Sequence, residues 1–333
     1  MRNSRRIAGR SAWSALAASV TVATLAASLT GCGKDTEPQA TPSYALNGVY
    51  RLVGDGAKQT LGGEPDPGPS MQRQFALRSH CDGDTCVTIG MRLDDKDASK
   101  PFEDGDGKPD EPMVADYRDG RWFQVEQAEW TCGDGSVGRQ TVYWSLTPQS
   151  DGSLAGTRTD IRVASPQCVS VQQLPITVTR TGDIDPAISL GDPAAVPPWR
   201  ASSPARLSGK YTRTAVQVQA GSEIDRTAVE FTSFCVRNTN NCVALKSFTE
   251  PDGPRLVPLE FDNGRWTVQF DAMDTECPES KQQAQVISHE QYALPTDASN
   301  PIQNTTGSEV AVVTGACTGV LRDFNLALQR SEG

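Results

Sequence analysis

Tyr117-Arg118-Asp119-Gly120-Arg121-Trp122 returns in the second half of the chain as Phe261-Asp262-Asn263-Gly264-Arg265-Trp266. Each copy reads as a strand end, a two-residue Asp-Gly or Asn-Gly turn and the start of a second strand. Outward from this hairpin the landmarks recur in one order. Leu46-Asn47-Gly48-Val49-Tyr50 matches Leu207-Ser208-Gly209-Lys210-Tyr211, and Cys81 and Cys86 match Cys235 and Cys242. Cys132 follows Trp122 as Cys277 follows Trp266, and Cys168 precedes Arg180 as Cys317 precedes Arg330. Such collinearity is the mark of a duplicated unit. The units span 46–182 and 207–333, with a Pro-rich linker at 183–206. Trp199 in the linker is a candidate for docking on a domain surface.

Within the units the period is two. Val87-Thr88-Ile89-Gly90-Met91-Arg92-Leu93 alternates, as does Ile176-Thr177-Val178-Thr179-Arg180. A strand with one buried face reads this way. No helical period persists in residues 32–333. The expectation is all-β: two tandem antiparallel barrels, or sandwiches, of about eight strands each. The ends of each unit tilt this towards barrels. Gly48-x-Tyr50 with Arg180, and Gly209-x-Tyr211 with Arg330, are similar to the calycin (lipocalin-like) pattern. There an arginine of the last strand covers an aromatic of the first.

The 333 residues carry 31 Lys+Arg against 41 Asp+Glu, a net charge of -10. Such an acidic chain is a poor partner for nucleic acid. The N-terminus is the exception. Arg2, Arg5, Arg6 and Arg10 precede an uncharged run at 11–29, and then Leu29-Thr30-Gly31-Cys32. This is a signal peptide in its parts, and its last four residues resemble a bacterial lipobox. The resemblance implies cleavage after residue 31, acylation of Cys32 (palmitate among the acyl groups) and anchoring on the outer face of the cell membrane. Ser4-Arg5-Arg6-Ile7 also resembles a twin-arginine export signal, so the export route stays open. Residues 32–45 read as the lipidated cysteine with a flexible tether.

Nine cysteines divide into one lipid site and four per unit. An exported chain meets an oxidising compartment, where even sets become disulfides. The pairing favoured is Cys81–Cys86, Cys132–Cys168, Cys235–Cys242 and Cys277–Cys317, because a close pair suits a turn between two strands. Zinc is the rival, but C-x₂-C spacing is missing.

The lipobox, the cysteine frame, Asp119-Gly120-Arg121-Trp122, the run at 146–156 (LTPQSDGSLAG) and Thr179-Arg180-Thr181-Gly182-Asp183 together resemble the tandem-repeat lipoproteins of mycolate-containing actinomycetes. They are similar also to extracytoplasmic regions of some serine/threonine kinases of those bacteria. The resemblance implies location and architecture, and no activity.

Chemistry has little foothold. The two histidines, His80 and His289, stand in no catalytic signature, and there is no G-x-S-x-G, H-E-x-x-H, P-loop or G-x-G-x-x-G. No cofactor and no enzyme activity are expected. The acidic segment 94–111 holds Asp104, Asp106 and Asp110 at a spacing like that of calcium loops. Lys108 and Pro109 stand where such a loop needs a ligand and a glycine, so a solvated loop is the plainer reading. In the second unit Trp266, Val268 and Phe270 share a face. In the first that face carries Trp122, Gln124 and Glu126. Either a bulge swaps the faces, or the first barrel has a polar interior that lines a ligand site. The expected function is a non-catalytic envelope lipoprotein that binds a lipid-like or small ligand, beside Trp122, Gln124 and Glu126, or an envelope partner. The alternative is a structural or interaction module with solid barrels, and an enzyme of unrecognised type comes third.

Overall fold

The computed structural model describes residues 44–331 apart from 106, 109, 220, 252, 271, 272, 278, 279 and 318–320. Cys32, the expected signal peptide at 1–31 and Asp106 therefore lie outside the described residues. The first unit runs β1 (Asn47–Gly54), β2 (Thr60–Leu61), β3 (Glu64–Pro65), β4 (Met71–Asp82), β5 (Thr85–Leu93), β6 (Met113–Arg118), β7 (Arg121–Thr131), β8 (Val137–Pro148), β9 (Leu154–Ser165) and β10 (Cys168–Gly182). The second runs β11 (Gly209–Gln217), β12 (Glu223–Cys235), β13 (Cys242–Glu250), β14 (Gly253–Asp262), β15 (Arg265–Gln269), β16 (Met273–Glu276), β17 (Gln283–Ala293), β18 (Asn304–Gly315) and β19 (Leu321–Arg330).

Both units are closed antiparallel barrels. In the first, β1 and β4 to β10 pair in sequence order, and β10 returns to β1, while the small β2–β3 hairpin hangs on β10. In the second, β11 to β15 continue through β17, β18 and β19 back to β11, and β16 pairs alongside β15 on β17. Among the described strands closure leaves no long unpaired edge, the usual hazard of a β protein. The Asp119-Gly120 and Asn263-Gly264 turns have φ of 51° and 76°, and 48° and 78°. These left-handed pairs match the twist of a two-residue hairpin, which is why Asp or Asn followed by Gly occupies them. Beyond each turn the flanking strands part quickly. β6 holds β7, and β14 holds β15, through three residue pairs apiece.

Alternation puts one face of each strand inside. The lower part of the first barrel is filled by Tyr50, Leu52, Phe75, Leu77, Trp122, Leu146, Leu154, Ile176 and Val178. In the second the same layer holds Tyr211, Phe231, Leu259, Trp266, Tyr292, Leu326 and Leu328. Full burial of each such side chain contributes about 1.5–3 kcal/mol.

Gly48 and Gly209 show why the unit begins as it does. Their φ values are +130° and +98°. A Cβ on Gly48 would stand 2.5 Å from the Gly182 carbonyl oxygen and 2.6 Å from Arg180 Nε. One on Gly209 would stand 2.9 Å from an Arg330 guanidinium nitrogen. The arginines use that space: Arg180 Nε donates to Asn47 O at 2.8 Å, and Arg330 NH1 to Ser208 O at 2.6 Å. The Arg330 guanidinium also lies 6.0 Å from the Tyr211 ring. Gly48→Ala combines positive-φ strain with a backbone clash. It is expected to lower the stability of the first barrel by about 1–3 kcal/mol, measurable by denaturant unfolding; an unchanged midpoint would refute this account.

Residues 183–206 are packed rather than free. Ile188 and Leu190 are buried with Val49, Ala76 and Leu93 on the outer wall of the first barrel. Trp199 lies under Arg118, 3.5 Å from guanidinium carbon to ring centre. The barrels also touch directly. Ile161 and Val171 of the first meet Phe234, Val243 and Leu245 of the second. Tyr143 and Phe234 rings stand 4.2 Å apart, and Arg237 grips the Asp116 carboxylate at 2.9–3.2 Å.

Disulfides join Cys81–Cys86, Cys132–Cys168, Cys235–Cys242 and Cys277–Cys317, with Cα separations of 4.0, 6.3, 4.1 and 5.7 Å. The short bridges link directly opposed residues of neighbouring strands.

Candidate functional site

The three residues singled out in the first unit lie on one inward face of β7. The β7–β8 register runs unbroken from Trp122 to Thr131, so no bulge swaps the faces. Trp122 is core, and its indole N–H donates to Tyr44 O at 3.1 Å. Gln124 is buried above it. Its Oε1 has no protein partner, and neither has the Nε1 of Trp144, directly opposite on β8. Both face a cavity of about 30 Å³ among Leu46, Phe75 and Met113. That volume suits a water or two, an acceptor and a donor being ready for it. Glu126 stands at the rim with its surface exposed. The barrel wall still removes enough hydration to raise its carboxyl pKa; Gln124 and Arg158 offset this, and Asp110 and Asp160 reinforce it. Asp160, buried on β9, is held by Arg158 at 2.9 Å and Gln140 at 2.6 Å.

The acidic segment folds back at this rim. Leu93 pairs with Pro101, Asp94 N–H bonds Lys100 O at 3.0 Å, and Phe102 N–H bonds Arg92 O at 3.0 Å. The Phe102 ring covers the Arg92 guanidinium at 3.3 Å, and Asp95 and Asp110 approach it at 3.5 and 3.6 Å. Asp110 thus faces an arginine, and Asp104 accepts from the Lys108 N–H at 3.1 Å. Among the described residues no group of three or more His, Cys, Asp or Glu could hold a metal ion. His80 and His289 are both exposed.

The second barrel differs above its aromatic floor. Arg213 of β11, Lys246 of β13 and Glu290 of β17 are buried inside it. Strand parity places them there: Tyr211, Arg213 and Ala215 share a face, as do Cys242, Ala244 and Lys246, and Ser288, Glu290 and Tyr292. Lys246 Nζ donates to both Glu290 oxygens at 2.7 and 2.8 Å. Arg213 reaches Tyr292 OH at 3.2 Å, Asp225 at 2.9 Å and Glu309 at 2.5 Å. Burial alone would raise the Glu290 carboxyl, but Lys246 and Arg213 outweigh it and hold the carboxyl below its ordinary value. Burial lowers the Lys246 ammonium, against the pull of Glu290. Burial and then the Glu290 charge push the Tyr292 phenol well up.

Above this charged layer opens a cleft of about 530 Å³ walled by Phe248, Phe270 and Phe324. The Lys246 ammonium lies 5.4 Å from the ring centres of Phe248 and Phe270. The segment opposite the acidic insertion is only the β13–β14 turn here, and the cleft remains open. A further hollow of about 420 Å³ lies between the units, where Val163 and Val169 face Pro258, Glu260 and His289. Burial raises the Glu260 carboxyl there, and Arg139 pulls it back. Sequence reading passed over Arg213, Lys246, Glu290 and Glu309, although alternation from Tyr211 and Cys242 already pointed the first two inward.

Residues 41–195 match the family model of the PknI serine/threonine-protein kinase sensor domain. The serine/threonine-protein kinase PknI of Mycobacterium tuberculosis and that of Mycobacterium bovis are each 29% identical to the chain over 166 residues. The match takes in 47% of this chain and 28% of the kinase, so the chain spans under a third of the curated relatives it resembles. A solved monomer form of the M. tuberculosis PknI sensor domain is 26% identical, is covered in full and covers 46% of this chain, with a TM-score of 0.40. A dimer form is 22% identical over 53% of this chain and all of its own, with a TM-score of 0.32. The first barrel and the start of the linker are thus similar in sequence to the sensor region of a mycobacterial serine/threonine kinase.

Proposed function

We propose that the protein is a non-catalytic binding or sensing module of the cell envelope, tethered outside the membrane by acyl chains on Cys32, that takes a small ligand in the mouth of the second barrel. The observation that carries this reading is the open, phenyl-walled cleft of about 530 Å³ above a charged layer, the size and make-up of a small-molecule site. Four disulfides favour an oxidising compartment outside the cytoplasm. The similarity of residues 41–195 to a kinase sensor domain favours detection over catalysis. A second reading, a protein-interaction module, draws on the first barrel, whose interior leaves about 30 Å³.

Native mass spectrometry of the full chain from an actinomycete host separates the two readings. A retained small molecule, lost on disruption of the second barrel, is expected; a bare mass throughout would favour the interaction module. The anchor is tested in the same host. Cys32→Ser is expected to abolish acyl labelling and release the protein from membranes. A substituted form that keeps an acyl mass would remove the lipoprotein part of the proposal.

A further inference from the structure

The described side chains around the second barrel's mouth include two cations, Arg213 and Lys246, and four anions, Asp225, Glu250, Glu290 and Glu309. Glu250 is engaged by Arg255 at 3.1 Å. The remaining five leave one negative charge in excess. Each cation is already held: Lys246 by both oxygens of Glu290, Arg213 by Asp225 and Glu309. An entering anion would have to displace a resident carboxylate and would meet the excess negative charge. An entering cation shares Asp225 and Glu309 with Arg213 without displacing it, because each carboxylate has about four acceptor sites. Asp225 is the most open of the three carboxylates, its side chain 44% exposed, and Glu309 follows at 19%. Phe324 stands directly opposite Glu309 in the β18–β19 register. Phe248 and Phe270 complete an apolar wall whose rings already face the Lys246 cation. Carboxylates beside phenyl faces attract a positive charge twice over, by Coulomb attraction and by the ring quadrupole.

Resting on the proposed binding role, we infer that this mouth takes a small amphiphilic cation, an ammonium group on an apolar body. The ammonium faces Asp225 and Glu309, and the body lies among Phe248, Phe270 and Phe324. The charged layer below ends the site, because the barrel beneath it is filled by Tyr211, Phe231, Trp266 and Tyr292. The ligand is therefore short: one head group and a body the size of one or two rings, and not a long acyl chain running down the barrel axis.

Three probes with one ring and different charge test this by calorimetric titration of the full chain: 2-phenylethylammonium, 2-phenylethanol and phenylacetate. The ammonium is expected to saturate the site and to bind about tenfold more tightly than the alcohol, with phenylacetate weakest. Glu309→Gln removes one charge and keeps an acceptor for Arg213. It should weaken the ammonium about tenfold and leave the alcohol unchanged. Asp225→Asn, at the more exposed carboxylate, provides the same comparison if Glu309→Gln does not fold. Phenylacetate binding as tightly as the ammonium, or variants that weaken all probes alike, would overturn the inferred ligand class and leave the binding role standing. Absence of saturable binding by every probe would overturn it too, and the binding role would then rest on the mass of the native protein.

Discussion

Lys246→Met is expected to cost the second barrel about 3–5 kcal/mol, a large share of the stability of a small domain. The substitution keeps the volume and the apolar stem. What it removes is the ammonium that satisfies both oxygens of Glu290, a carboxylate inside the barrel with 2% of its side-chain surface exposed. Arg213 stands 3.8 Å from that carboxylate and is already committed to Asp225 and Glu309. A carboxylate left with so little compensation is penalised by its full desolvation. The double variant Lys246→Met with Glu290→Leu should recover much of the loss, since two apolar side chains need no partner. The pH dependence carries a sign. Lys246 and Arg213 hold the Glu290 carboxyl below its unfolded value. Its contribution is therefore present above the unfolded carboxylate pKa of about 4.3 and fades as pH falls through the lower folded value. In Lys246→Met that acid-limb contribution should shrink, because the depressed pKa depends on the ammonium. Urea unfolding at neutral and acid pH measures both effects. A loss under 1 kcal/mol, or an acid limb that is unchanged, would show that the pair is not the keystone of the charged layer.

The barrels were legible because they rest on local rules repeated twice. Alternation in Val87 to Leu93 needs one buried face, but Leu93 and Met91 are covered by Ile188 and Leu190 of the linker on the outer wall, while Thr88 faces the barrel interior. Asp119-Gly120 and Asn263-Gly264 need left-handed φ, and both pairs have it. The cysteine frame and the glycine–arginine ends recur in order, and the structure gives each a geometric reason. The interior charges were harder to read. Composition assigns Arg, Lys and Glu to the outside as a rule. Parity turns Arg213, Lys246 and Glu290 inward one strand at a time, but only the register of β11, β13 and β17 brings them together. The first unit shows the converse: Trp122, Gln124 and Glu126 do share the inward face, yet how much room they line depends on packing from Phe75, Met113 and Trp144. Residues such as Phe234, Val243 and Leu245 belong to the seam between barrels rather than to a barrel interior. An outward apolar residue reads the same in sequence whichever surface covers it.

Removing the Cys277–Cys317 bridge by paired serine substitutions is expected to destabilise the second barrel by roughly 4 kcal/mol in the chain-entropy model, which assigns about three-fifths of that to a bridge spanning seven residues. The difference comes from the loops closed: 40 residues for Cys277–Cys317 against 7 for Cys235–Cys242. Position works in the same direction. Cys235 and Cys242 face each other on strands already paired through neighbouring rungs, so their bridge constrains little that the ladder does not. Cys277 follows β16, a short strand that pairs with β17. It is buried with Ala284 and Val313 in a small apolar cluster that Cys317 completes. Without the bridge, β16 keeps four rungs and loses its covalent tie to the β18–β19 turn. Exchange of β16 and β17 amides should then quicken well before those of the first barrel, which has its own long bridge at Cys132–Cys168. Because two barrels need not unfold together, amide exchange resolved by strand is the better readout than a single melting temperature. Equal losses from removing the long and the short bridge of the second barrel would refute the entropic account and place the stabilisation in the local packing around each cystine.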